Sequence, residues 1–220
     1  MIFSEMFWQP IALSLKVAVV AVIVVLVIGV CTAWLMTRKS FKGHSVIETV
    51  LLLPIVLPPT VVGFLLVVAF GQQGFIGQLI QAIFQQSLLF TVAAAMLAAA
   101  IVAFPLMYQS VKLGFQAVDK DIEDAARVDG AGELAVFGYI TLPISRKAVL
   151  AGVVLSFARA IGEFGATLMF AGNIPGKTQT ISTAIYVAME TNQMELAWAW
   201  VIGIILLSFT MLFLIRRFAD

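Results

Sequence analysis

The sequence predicts an all-α, polytopic membrane protein, a single domain over residues 1–220 with about five transmembrane helices. Three observations carry that prediction. Hydrophobic residues make up 62% of the chain and charged residues 11%, with a mean hydropathy of +1.07; soluble domains hold about 45–50% and about 25% respectively. Five apolar runs are each long enough to cross a hydrocarbon core, which takes roughly 20 helical residues. The stretches between them alternate between basic and nearly uncharged.

The first run, about 11–36, exceeds the apolar core of a signal peptide, about 7–15 residues, and the preceding MIFSEMFWQP has no basic residue. It therefore reads as a retained span. Lys16, near its outer end, is placed to snorkel to the interface. The second run, 47–70, holds Pro54, Pro58 and Pro59 within LLLPIVLPPTVVGF. A proline in a helix interior costs ~3 kcal/mol or more, and broken backbone survives in a bilayer only where protein or a wet cavity satisfies it. Two readings are open: a kink that eases packing, or a discontinuous helix at Pro58 and Pro59 beside a transport pathway. The third run is 88–111.

The fourth run, 148–170, contains Arg159 and Glu163. A lone charge at the bilayer centre costs about 2.5–3.5 kcal/mol on insertion scales. Spacing i, i+4 would put the two on one helical face, where they neutralise each other. A structural pair and a pathway-lining pair both fit. Gly162 and Gly165 would admit close approach of another helix. The fifth run is 196–215.

Arg38, Lys39 and Lys42 follow the first run, Lys112, Lys120, Arg127, Arg146 and Lys147 lie between the third and fourth, and Arg216 and Arg217 follow the fifth. The opposite stretches, 71–87 and 171–195, hold only Lys177. The positive-inside rule then puts the N-terminus outside and the C-terminus in the cytoplasm. Cys31 is the single cysteine, which excludes an internal disulfide or a cysteine metal site. His44, the single histidine, is expected to be a solvated loop residue. A net charge of +1 points to no nucleic-acid partner. GNIPGKT at 172–178 has three residues between its glycines where a phosphate-binding loop needs four. Gly130-Ala-Gly132-Glu-Leu-Ala135 follows a helical stretch, whereas a dinucleotide fingerprint follows a strand.

Residues 118–147, VDKDIEDAARVDGAGELAVFGYITLPISRK, stand apart: half of the 12 acidic residues lie between Asp119 and Glu133. Lys120–Val128 favours helix, Gly130 and Gly132 break it, and a second helical piece follows at about 133–140. Pro143 is placed to open the next membrane helix. Ile122, Ala125 and Ala126 form a small-residue face among the acids. A solvated loop would also be acidic, but would not call for the ordered small residues, turn glycines and terminal Leu-Pro.

Asp124-Ala125-Ala126, then Gly130, then nine residues, then Ile140-Thr-Leu142-Pro143 resembles the EAA signature of ABC importer permeases. One position departs: Asp124 stands where the signature has Glu, with Glu123 just before it. The resemblance implies that 118–143 is a cytoplasmic coupling loop. It would dock on an ATPase subunit through Glu123 or Asp124, Ala125, Ala126, Gly130, Ile140, Leu142 and Pro143. SLKV, LPIVLPPTVVGFLL, GQQGFIG, FARAIGEFGAT and GNIPGKTQTISTAIY extend the likeness over nearly the whole chain, to permease subunits of molybdate ABC importers. Sulfate and thiosulfate permeases share the Ala-Arg…Gly-Glu core but typically carry Tyr-Gly-Ser at Phe164-Gly165-Ala166; tungstate is a further alternative substrate.

That family implies a type I ABC importer permease fold in the cell inner membrane, acting as a homodimer by alternating access. Its partners would be two cytoplasmic ABC ATPase subunits, which hold ATP and Mg, and an extracytoplasmic molybdate-binding protein docking on 71–87 and 171–195. This chain would carry no catalytic residue and bind no cofactor or metal of its own. From the residues alone, the rival is a passive anion channel. A membrane enzyme is disfavoured because no set of acid, base, nucleophile and metal ligands converges on one span.

Overall fold

Without water to bond them, backbone groups in a bilayer must find partners inside the protein, which leaves helices as the economical solution for a chain this apolar. In a computed structural model the backbone is described over residues 5–38 and 41–219, and side chains over 7–38 and 41–213. Lys39 lies outside the described residues, as do the side chains of Arg216 and Arg217. Among the described residues every regular element is helical: α1 (Glu5–Arg38), α2 (His44–Val56), α3 (Pro59–Phe70), α4 (Phe75–Phe84), α5 (Val92–Gln116), α6 (Lys120–Val128), α7 (Glu133–Val136), a π turn (Phe137–Thr141), α8 (Leu142–Ile144), α9 (Arg146–Ile161), α10 (Gly165–Ala171), α11 (Ile181–Glu190) and α12 (Met194–Ala219). Within them Phe7–Arg38, Val92–Gln116 and Met194–Phe213 are each long and apolar enough to span, and the number reaches five if each of two bent pairs is one span.

The bent pairs change the expected boundaries. Residues 47–70 are two helices, α2 and α3, meeting at 116°. Leu57 and Pro58 are extended (φ −69°, ψ 139° and φ −53°, ψ 137°), the conformation that a following proline favours. Pro59 then opens α3, where its missing N–H is no loss. The run is therefore broken into two helices rather than kinked. Residues 148–170 are also not one helix: α9 stops at Ile161, Gly162–Phe164 are non-helical, and α10 starts at Gly165. The helix after the acidic stretch opens at Arg146, not Pro143, and stands at 71° to the Glu133–Ile144 piece. Stretches 71–87 and 171–195 are not bare loops, since they carry the short apolar helices α4 and α11. The third span starts later than 88, at Val92, because Thr91 caps it by accepting from the Ala94 amide at 3.2 Å.

The core is built on α5. Ala94, Ala95, Ala98, Ala99 and Ala103 are buried there with Val102, Met107 and Tyr108. Helices α1 and α9 pack along it, and α10 wedges between it and α3. Small side chains matter because lipid supplies no hydrophobic drive between helices, so association depends on close backbone approach. The α3–α10 crossing depends on glycine: a Cβ on Gly63 would sit 2.9 Å from the Ala166 Cα, and one on Gly165 would sit 3.0 Å from the Pro59 Cβ. Gly162 makes no such approach; a Cβ there would meet only a carbonyl of its own helix.

A second cluster joins the start of α1 to α11 and α12. It comprises Phe7, Ile181, Ala184, Ala188, Ala197 and Trp200, pinned where Trp200 Nε1 donates to the Phe7 carbonyl at 3.0 Å and Ser14 Oγ accepts from the Ile181 amide at 2.7 Å. Lys16 is exposed on α1, as snorkelling requires. His44 is not simply solvated. Its Nε2 lies 2.8 Å from the Met36 carbonyl and its Nδ1 3.8 Å from Glu48, whose carboxylate also pairs with Lys112 on α5.

Candidate functional site: a charged helical segment braced against α1

Local chemistry explains why 119–144 folds as it does. Asp119 Oδ1 accepts from the Asp121 amide at 3.0 Å and starts α6. Asp121 and Glu123 in its first turn and Arg127 in its last complement the helix dipole. The helix ends in a Schellman motif: the Gly130 amide bonds the Arg127 carbonyl at 3.0 Å and the Ala131 amide the Ala126 carbonyl at 2.9 Å. Gly130 is the residue that motif needs, with φ +91° and open space around it. After α7 the chain widens into the π turn, where the Leu142 amide reaches back five residues to Phe137. That wider turn accommodates Pro143, which has no N–H and would crowd the carbonyl of an ordinary preceding turn.

The charges of this segment close a ring. Arg38 donates to Glu123 (Nη2–Oε1 3.1 Å) and to Glu133, while Arg127 donates to Glu133 (Nε–Oε1 2.7 Å) and to Glu123 (Nη2–Oε2 3.3 Å). Each guanidinium thus touches both glutamates. Thr141 Oγ1 adds a further bond to Glu123, and the Arg38 guanidinium lies 5.7 Å from the Trp34 ring centroid, within cation–π range. The hydrogen bond to Glu133 is the leading reason that Arg127 holds its proton even more firmly than a free guanidinium.

This arrangement separates the two acidic candidates. The Glu123 side chain is 15% exposed and turned into the ring. Asp124 is 67% exposed and pairs with Arg127 on its own helix. Ala125, Gly130 and Pro143 are exposed, and Ala126, Ile140 and Leu142 half-buried. Beside them Val128, Leu134 and Tyr139 are 87%, 75% and 85% exposed, large apolar surfaces on a charged segment. The sequence reading missed these three and the bracing role of Arg38, Arg127 and Thr141. An apolar residue amid charges was the available signal for the first group.

The other predicted cluster also comes together. Arg159 and Glu163 form an ion pair at 2.7 Å (Nη1–Oε2), although its angle is not that of an aligned hydrogen bond. Their placement differs from the expected shared helical face, because Glu163 lies in the break after α9. There its Oε1 accepts from the Ala166 amide at 2.8 Å and caps the first turn of α10. Pro59 packs against Gly165, so the break at Leu57–Pro58 and the break at Gly162–Phe164 lie side by side.

The same helical fold is found in an ABC transporter of solved structure. A bacterial ABC transporter structure, described as involved in import of the acidic polysaccharide alginate, superposes with a TM-score of 0.79 over 98% of this chain and 79% of that one, at 15% identity. At that identity the likeness concerns the fold alone. Residues 26–220 match the family described as binding-protein-dependent transport system inner membrane component, and the chain belongs to that family. Among its relatives are the putative molybdenum transport system permease protein YvgM of Bacillus subtilis, 55% identical over 98% of this chain and 95% of the relative, and the molybdenum transport system permease protein ModB of Escherichia coli K12, 46% identical over 87% and 83%.

Substitutions at Gly130 and at the Arg159–Glu163 pair probe these two clusters. Gly130→Val should cost about 1–2 kcal/mol, the penalty of a left-handed residue bearing a Cβ, and Gly130→Asn less; hydrogen exchange of the amides at 124–131 measures it. Glu163→Gln should lower the unfolding midpoint in detergent more than Glu163→Gln combined with Arg159→Gln. The single-change penalty should stay below the about 3–5 kcal/mol of a fully buried pair, because the Arg159 side chain is 30% exposed.

Proposed function

We propose that this chain is the translocation subunit of an ATP-driven importer of molybdate, working as a homodimer with two cytoplasmic ATPase subunits and an extracytoplasmic molybdate-binding protein. The observation that carries the reading is the 55% identity, over 98% of the chain, to a protein named for molybdenum transport. In this account residues 118–143 are the coupling loop. Asp124, Ala125, Val128, Leu134 and Tyr139 face the ATPase, and Glu123 holds the loop in shape. ATP and Mg are held by the ATPase; this chain supplies the lever and the passage. The N-terminus lies outside and the C-terminus in the cytoplasm, which puts α6 on the side where ATP is found.

The passage has to hand the oxyanion on, so a tight site within it would hinder release. Arg159, its charge moderated by Glu163, suits that role: an anion meets a cation already partly neutralised, at the junction of two helix breaks. Closure of the ATPase pair would draw the two coupling loops together and reorient the breaks, opening the outer side, and hydrolysis would reset it. Selectivity would rest with the binding protein.

The test is uptake of labelled molybdate, sulfate and tungstate in a strain lacking this chain, with and without its return. The expected result is restored molybdate uptake that requires ATP, together with co-purification of an ATPase subunit. Restoration of sulfate uptake alone would move the chain to the sulfate class. Uptake without ATP would make it a channel.

A further inference from the structure

We propose that Arg38 is a positioning residue that yokes the coupling helix α6 to α1, so that displacement of the loop pulls as well as pushes the membrane bundle. The inference rests on the importer reading above and names the joint through which force would enter the bundle.

Helix α6 has no buried residue, and its main backbone neighbours are α7 and the π turn. The α7–α8 piece has an apolar anchor: Phe137 lies 5.1 Å from the Trp34 ring of α1 and 5.8 Å from the Phe115 ring of α5, centroid to centroid. No such plug holds α6. A cavity of about 400 Å³, lined by Thr37, Arg38, Gln116, Lys120, Glu123 and Thr141 among others, lies between it and the ends of α1 and α5. Across that gap the connection to α1 is ionic, Arg38 to Glu123, and Arg38 also grips Glu133 beyond the Gly130 turn.

Apolar contact transmits compression but opens under tension. A guanidinium held by two carboxylates resists both, and its planar fork reaches two acceptors at once. The α1 helix lies against α5 and α9, so moving its Arg38 end shifts the surface on which the Arg159-bearing helix rests. The ring has two arginines and two glutamates. Removing Arg38 leaves Glu123 its bonds to Arg127 and Thr141 but takes away the ionic link between the ring and α1.

The test uses the assembled transporter, this chain with its ATPase subunits and binding protein, in proteoliposomes. Labelled molybdate taken up per ATP hydrolysed is the readout, for wild type, Arg38→Met and Arg38→Lys. Arg38→Met keeps an apolar stem against Trp34 and should retain ATPase co-purification and an unchanged unfolding midpoint. Its uptake per ATP should fall about fivefold or more, the lower end of typical coupling free energies. Arg38→Lys should recover part of the loss, since one ammonium reaches a single glutamate well. Wild-type uptake per ATP in Arg38→Met overturns the proposal. So does loss of ATPase co-purification or of thermal stability in both variants, which would make Arg38 a staple and nothing more. If the wild-type assembly itself hydrolyses no ATP, the importer reading fails instead.

Discussion

How closely helices can approach α5 governs the rest of this fold. Its alanines at 94, 95, 98, 99 and 103 are buried, and that lets neighbouring backbones come near enough for dispersion and for bonds between helices. Ser156 Oγ donates to the Ala103 carbonyl at 3.2 Å, Ser110 Oγ to the Ala148 carbonyl at 2.7 Å and Ser145 Oγ to the Gly114 carbonyl at 3.0 Å. Bonds of this kind average about 0.6 kcal/mol and reach about 1.7 in membrane proteins. Three of them at successive levels fix α9 along its length. With α9 held, its far end is free to break at Gly162 without loosening the bundle.

The breaks are where the chain departs from an inert apolar bundle. Each is satisfied by a specific local device: Pro59 needs no amide partner at the start of α3, and the buried Glu163 carboxylate takes the Ala166 amide at the start of α10. Both sit at a crossing tightened by Gly63 and Gly165. The polar segment follows the same logic outside the bundle, where two arginines and two glutamates satisfy one another and leave apolar residues facing outward.

Much of this was legible in the sequence where the signal is local. Lys120–Val128 was read with the bounds it has, since Asp119 caps one end and Gly130 the other. The apolar runs were found, but hydropathy does not record direction. Residues 47–70 and 148–170 each read as one apolar run, because nothing in composition reports a bend of 116° or a short non-helical step. The prolines flagged the first. The second was masked by the i, i+4 spacing of Arg159 and Glu163, which suggested unbroken helix when Glu163 is in fact a cap in the break. Arg38 could be read only as a topogenic charge. Its partner Glu123 lies 85 positions away, and no local pattern reports a contact at that distance.

The central claim is that the 119–144 segment presents its outward face to a nucleotide-binding partner. A photo-crosslinking side chain at position 128, in the intact membrane assembly, tests it most directly. The account predicts an adduct with a cytoplasmic ATPase subunit from position 128, and none from position 64, where Phe64 is exposed on the apolar face of α3. Reaction at position 128 with an impermeant reagent from the outer side, or ATP-dependent uptake with no ATPase adduct from 128, would contradict it.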